Sequence, residues 1–169
     1  MAMFKCSSGR ILAVAVATIL TTAAFTAVAL AVAPAQTREG YVAQVEPICK
    51  KNTAANERIL QGARSEIKAG RLRVAAGQFT RAGRAFEKAV GELRAVPPPG
   101  EDAVTLAKWL AQLEKETDFL QRIGKALNEG KKTAVLGLSV RLKHNGNLAN
   151  NLVLDFDFRY CLINPSKFS

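Results

Sequence analysis

Ile11 to Ala33 is a run of 23 residues without one charge, and it constrains this chain more than any other feature. Its only polar members are Thr18, Thr21, Thr22 and Thr26, and the only charges ahead of it are Lys5 and Arg10. A cationic start followed by an apolar run is the pattern of an export signal or a signal anchor. Cleaved signals carry an apolar core of about 7–15 residues, whereas crossing a hydrocarbon core takes about 20, so the length favours a retained transmembrane helix. Ala33-Pro34-Ala35 before Gln36 supplies a small-x-small cleavage site and keeps a cleaved signal open. A buried helix of a soluble protein fits less well, because such helices rarely stay apolar on every face. Residues 1–36 are therefore expected to be the address and 37–169 an extracytoplasmic domain. Lys5 and Arg10 hold the N-terminus inside by the positive-inside rule. The expected location is the cell membrane, single-pass, with the C-terminal domain outside the cytoplasm, or secretion after cleavage. Cys6 precedes the run and is not placed like a lipidated cysteine.

Beyond the address only Cys49 and Cys161 remain. Two cysteines in an oxidising compartment most simply form one disulfide; two buried thiols are the alternative. The bond would close a loop of about 110 residues, for which the chain-entropy model gives about 4–5 kcal/mol.

Apolar residues recur at helical spacing along most of the exported part. Val42, Val45, Cys49, Ile59, Ala63 and Ile67 predict one amphipathic helix over Tyr41–Ala69, with Pro47 near its start and Gly70 as its stop. Its stripe is weakest at Thr53 and Asn56. A second helix, Leu72 to about Ala95, carries Leu72, Ala76, Phe79, Ala82, Phe86, Val90 and Leu93, and ends at Pro97-Pro98-Pro99. Glu101-Asp102 places negative charge at the start of a third helix, which buries Leu106, Leu110, Leu113, Leu120, Ile123 and Leu127, with Trp109 flanking the stripe. Asn128-Glu129-Gly130 closes it. A fourth helix runs from about Lys132 to Leu154 through Val135, Leu138, Leu142, Leu148 and Leu152; a bend or break is expected at Lys143-His144-Asn145-Gly146-Asn147, since Gly146 costs about 1 kcal/mol relative to Ala. The tail Asp155–Cys161 reads as extended, with Phe156, Phe158 and Tyr160 on one face against the bundle base.

The expected fold is thus all-α: an N-terminal transmembrane or signal helix, then an up-down-up-down four-helix bundle with one disulfide. In that topology the first helix starts and the last one ends at the same end, so Cys49 and Cys161 meet there. Bundle and disulfide predict each other.

The segment Tyr41-Val42-Ala43-Gln44-Val45-Glu46-Pro47-Ile48-Cys49, the Pro97-Pro98-Pro99 break and the aromatic-x-x-Cys tail Phe158-Arg159-Tyr160-Cys161 resemble a group of bacterial, actinobacterial-type exported helical proteins with no assigned activity. That resemblance implies the helical fold and the Cys49–Cys161 pairing, and no activity. It is weakest over Lys143–Asn151.

Chemistry is sparse. One histidine and three cysteines exclude multi-histidine metal sites and a four-ligand zinc centre of usual spacing. No phosphate loop, nucleophile elbow or haem attachment motif occurs. His144 reads as a surface residue, and Asp155 and Asp157 as a solvated edge rather than a cation site. No catalytic residue, metal or cofactor is expected, and no nucleic-acid partner, because the aromatics among the charges belong to the apolar stripe. The charge is basic, 24 Lys+Arg against 14 Asp+Glu. Lys50, Lys51, Arg58, Arg64, Lys68, Arg71 and Arg73 cluster on the first exported helix and its turn, and Arg81, Arg84, Lys88 and Arg94 continue on the second. The function expected is a non-enzymatic extracytoplasmic module, structural or interacting, in the cell envelope, contacting the membrane through residues 11–33 and an envelope protein or anionic polymer. Two alternatives stand beside it. Ala-rich helices leave room for a small apolar ligand or lipid, and the basic face suits anionic envelope polymers or lipids.

Overall fold

A computed structural model describes residues 35–164. The apolar run, most of the candidate cleavage site and the last five residues lie outside that range. Among the described residues no helix is long and apolar enough to cross a membrane.

Thr37 opens the first helix, α1 (Arg38–Leu60): its side chain accepts the Gly40 N–H at 3.0 Å and so satisfies one of the donors a helix start leaves unpaired. Pro47 sits inside α1 without ending it. The single helix expected over Tyr41–Ala69 is instead two. Gly62, at φ 76°, turns the chain into the short α2 (Ala63–Lys68). The break is held open by Gln78, whose Nε2 donates to the carbonyls of Ile59 (3.0 Å) and Gln61 (2.9 Å), acceptors that a helix end otherwise leaves orphaned. Nothing in the local apolar spacing signals a partner 17 and 19 residues away.

Gly70 ends α2 as expected, with the Arg71 N–H on Glu66 O and the Gly70 N–H on Ile67 O. The same pair of bonds, Lys131 to Ala126 and Gly130 to Leu127, ends the helix that stops at Asn128. Between these stops lie α3 (Leu72–Arg94) and α4 (Ala103–Asn128), the latter entered through one 3-10 turn at Gly100–Asp102. The final long helix is α5 (Lys132–Leu152), followed by a 3-10 turn at Leu154–Phe156. Contrary to expectation, α5 is continuous through Asn145-Gly146. Asn145 is buried and its Nδ2 donates to Gln112 O and Glu116 Oε1, both at 2.9 Å, so tertiary bonds override weak local propensity.

The four long helices pack as a bundle, α1 on α3, α3 on α4 and α4 on α5, and no comparable interface closes α1 against α5. The α3–α4 crossing is close because both helices present glycine. A Cβ on Gly124 would lie 3.1 Å from Ala76 O and 3.2 Å from Thr80 N, backbone atoms that cannot step aside. Gly91, on the outer side of α3, has nothing within 4 Å of the same position. The same change therefore carries opposite signs: Gly91→Ala is expected to stabilise by up to about 1 kcal/mol through helix propensity. Gly124→Ala is expected to destabilise by about 1–2 kcal/mol, because overpacking exceeds that gain. Urea denaturation of the two variants checks both.

The interior divides in two. One apolar cluster holds Tyr41, Val45, Leu93, Leu106, Trp109, Leu113 and Val153 with the tail residues Phe156, Phe158 and Cys161; the other holds Ala63, Ala75, Phe79, Leu120, Ile123, Leu127, Leu138 and Leu142. Trp109 does not flank the stripe but is fully buried at 0 % exposure. Leu148, expected inside, is exposed, as are Leu136 and Val140. Between the clusters α4 contributes Glu116 and α5 contributes Asn145, both buried. An interior expected to be mostly apolar thus has a polar layer at mid-height, invisible to a reading of apolar spacing.

Candidate functional site

Residues 45, 46, 49, 50 and 53 of α1 share one face, since positions three and four apart lie above one another on a helix. That face receives the end of the chain. Cys49 and Cys161 form a disulfide, with S–S 2.03 Å and Cα atoms 4.9 Å apart. One turn earlier the Glu46 carboxylate accepts the backbone N–H groups of Arg159 (2.9 Å), Tyr160 (3.0 Å) and Cys161 (3.3 Å). One turn later Thr53 Oγ1 donates to Tyr160 O at 3.5 Å. From the other side Asn150 of α5 clamps the tail: its Nδ2 donates to Ile163 O and its Oδ1 accepts the Ile163 N–H, both at 2.8 Å. The tail therefore bridges α1 and α5, which have no close interface of their own.

Aromatic packing fixes the start of the tail. Phe158 lies 5.4 Å, centroid to centroid, from both Trp109 and Phe156. Arg38 covers the Phe156 ring at 4.9 Å and pairs bidentately with Asp102, at 2.6 and 2.9 Å, and these bonds hold the Asp102 carboxyl below its ordinary value. Asp102 is thus engaged across the fold rather than capping the helix it precedes. The tail does not start extended as expected, since Leu154–Phe156 forms a 3-10 turn and Asp157 follows it in the left-handed region; Phe156 and Phe158 are nonetheless buried, whereas Tyr160 is half-buried at the rim. Asp157 takes the left-handed conformation (φ 52°), which a short polar side chain tolerates.

Where α1 and α5 stay apart, a groove of about 1050 Å³ opens. Its floor is Phe86, Ala89, Val90 and Leu93 of α3 with Leu113 of α4; α1 forms one wall from Cys49 to Leu60, and the tail from Arg159 to Asn164 forms the other. The floor is apolar and the rim is not. At one end Lys50 Nζ and Arg159 Cζ each lie 5.2 Å from the centroid of the Tyr160 ring. The neighbouring carboxylate, Glu46, is turned onto the three backbone N–H groups. Asn56, in the α1 wall and 4 % exposed, donates from Nδ2 to Asn52 Oδ1 at 2.8 Å, while its own Oδ1 has no hydrogen-bond partner among the described residues. Glu57 lies on the same wall.

The seven basic residues singled out from the sequence are all exposed and spread over three elements. Lys50 borders the groove. Lys51 and Arg58, seven apart, share another face of α1. Arg64 and Lys68 stand one turn apart on α2, and Arg71, in the turn after it, is paired with Glu66. Arg73 borders a shallow depression of about 390 Å³ at the α3–α4 crossing, with Lys125 beside it. His144, Asp155 and Asp157 are exposed. Among the described residues no group of three or more His, Cys, Asp or Glu is placed to hold a metal ion.

Three contributors to the site escape the sequence. Glu46 and Asn150 act on backbone groups more than 110 and 13 residues away respectively, which leaves no local mark. Asn56 leaves one, a polar residue interrupting an otherwise apolar stripe. Comparison with protein-family models, with curated proteins and with solved structures gives no match.

Proposed function

We propose that this chain is a non-enzymatic, exported helical module of the cell envelope, held at the membrane by its 11–33 run or released by cleavage after Ala35. The observation that carries the reading is the Cys49–Cys161 disulfide, a bond that persists in oxidising compartments. The apolar run ahead of the bundle supplies the route there. Protease protection in intact cells is expected to find the C-terminal half accessible from outside, and intact mass is expected to rise by two hydrogens on reduction. A C-terminal half on the cytosolic side, or Cys49 and Cys161 that both alkylate without prior reduction, would overturn it.

A second reading is favoured by the groove, whose volume sits at the upper end of the range of small-molecule sites. On this reading the module carries an apolar ligand between α1, α3 and the tail.

A further inference from the structure

Resting on that second reading, the geometry points to one ligand class: a single-chain amphiphile with an anionic headgroup, its acyl chain along the groove over α3 and its head at the end bordered by Lys50, Arg159 and Tyr160. The apolar surface open to the groove comes from the half-buried Phe86 and Leu60 and the exposed Leu162, over Val90 and Leu93 of the core, and it favours a hydrocarbon in proportion to the area covered. The groove follows α1 from Lys50 to Leu60, about 15 Å at 1.5 Å per residue, so it is long rather than round. An extended chain fits such a shape better than a compact ring system.

The charge is asymmetric along that length. Two cations converge on one ring at the Cys49 end, each 5.2 Å from the Tyr160 centroid. Neither is in a salt bridge among the described residues; Glu46, one turn from Lys50, is engaged by the tail backbone, while Asp157 lies two residues before Arg159 and Glu57 farther along the α1 wall. Both cations border the groove at this end and raise the local potential there for an anion. Asn56, farther along the same wall, adds a buried oxygen that lacks a donor, which suits a hydroxyl or protonated group on the ligand. The opposing choice, an amphipathic helix lying in the groove, would have to displace the tail that forms one wall.

The test uses the protein as its cells make it, in phosphatidylcholine nanodiscs where the apolar run is retained, with a diazirine-bearing palmitate as probe and its methyl ester as control. Photolabelling by the acid is expected on peptides covering 49–61, 86–93 and 159–164, at least tenfold above the ester. Lys50→Gln with Arg159→Gln, both at exposed positions, is expected to abolish that tenfold difference while the far-ultraviolet circular dichroism and the disulfide stay unchanged. Equal groove labelling by acid and ester would overturn the headgroup assignment and leave the carrier reading standing. Absence of groove labelling by either probe would overturn both.

Discussion

Reduction of the Cys49–Cys161 bond is expected to cost about 4–5 kcal/mol of stability, the largest loss any single covalent change produces here. The two residues are 112 apart in sequence, and in the chain-entropy model a cross-link of that span removes about 4.7 kcal/mol of freedom from the unfolded chain. The folded state adds little to this sum, because Glu46, Thr53 and Asn150 still hold the tail once the bond is gone. Guanidinium denaturation with and without reductant measures the difference, and a Cys49→Ser, Cys161→Ser double variant should reproduce it. The one tryptophan gives a second readout, since Trp109 faces Phe158 at the start of the tail. If the reduced protein keeps its stability within about 1 kcal/mol, the loop-closure account of this cross-link is refuted.

Glu116→Gln is expected to stabilise the protein by about 3 kcal/mol at pH 8 and to change nothing at pH 4. Glu116 is 2 % exposed, and burial pushes its carboxyl up from 4.5 to about 7, against a smaller lowering by the hydrogen bond from Asn145. A carboxyl whose folded value is raised contributes its full stability below the unfolded value and loses it as pH rises. The loss runs at about 1.4 kcal/mol per pH unit between 4.5 and about 7, and then levels off. Gln keeps an oxygen for Asn145 Nδ2 and removes the charge, so the slope should vanish with the substitution. Gln112 Oε1, one turn back on α4, is a buried acceptor without a donor among the described residues, the complement of a protonated carboxyl. Melting temperatures of both proteins from pH 4 to 8 check this. A wild-type profile with no slope between pH 5 and 7 would refute it.

The parts of the fold legible in the sequence are those set by local rules. The stops at Gly70 and Gly130, the proline break after α3 and the apolar stripes of α3 and α4 all follow from spacing and backbone conformation. The pairing of Cys49 with Cys161 was legible too, although Cys49 lies at the middle of α1 rather than near its start, and it is the tail beyond α5, not the helix end, that reaches it. Two readings went the other way for one reason. At Gln61-Gly62 and at Asn145-Gly146 the local propensities are similar, both weak for helix, yet one breaks and the other continues. What separates them is a distant side chain: Gln78 satisfies the carbonyls of an ended helix, and Glu116 with Gln112 rewards an unbroken one. The groove was foreseeable only as a consequence of small residues. Its position depends on α1 and α5 failing to close, which no spacing encodes.

The wall opposite α1 is six residues of irregular chain rather than a helix, and this sets how the hollow can breathe. Spreading two packed helices means separating an entire apolar seam. Swinging residues 162–164 outward would part the paired amide contact between Asn150 and Ile163 and lift Ile163 from the apolar cluster it packs on, a smaller seam than that between two long helices. On the carrier reading, the short segment rather than a long helix is the part a ligand would pass, on the timescale of a surface loop.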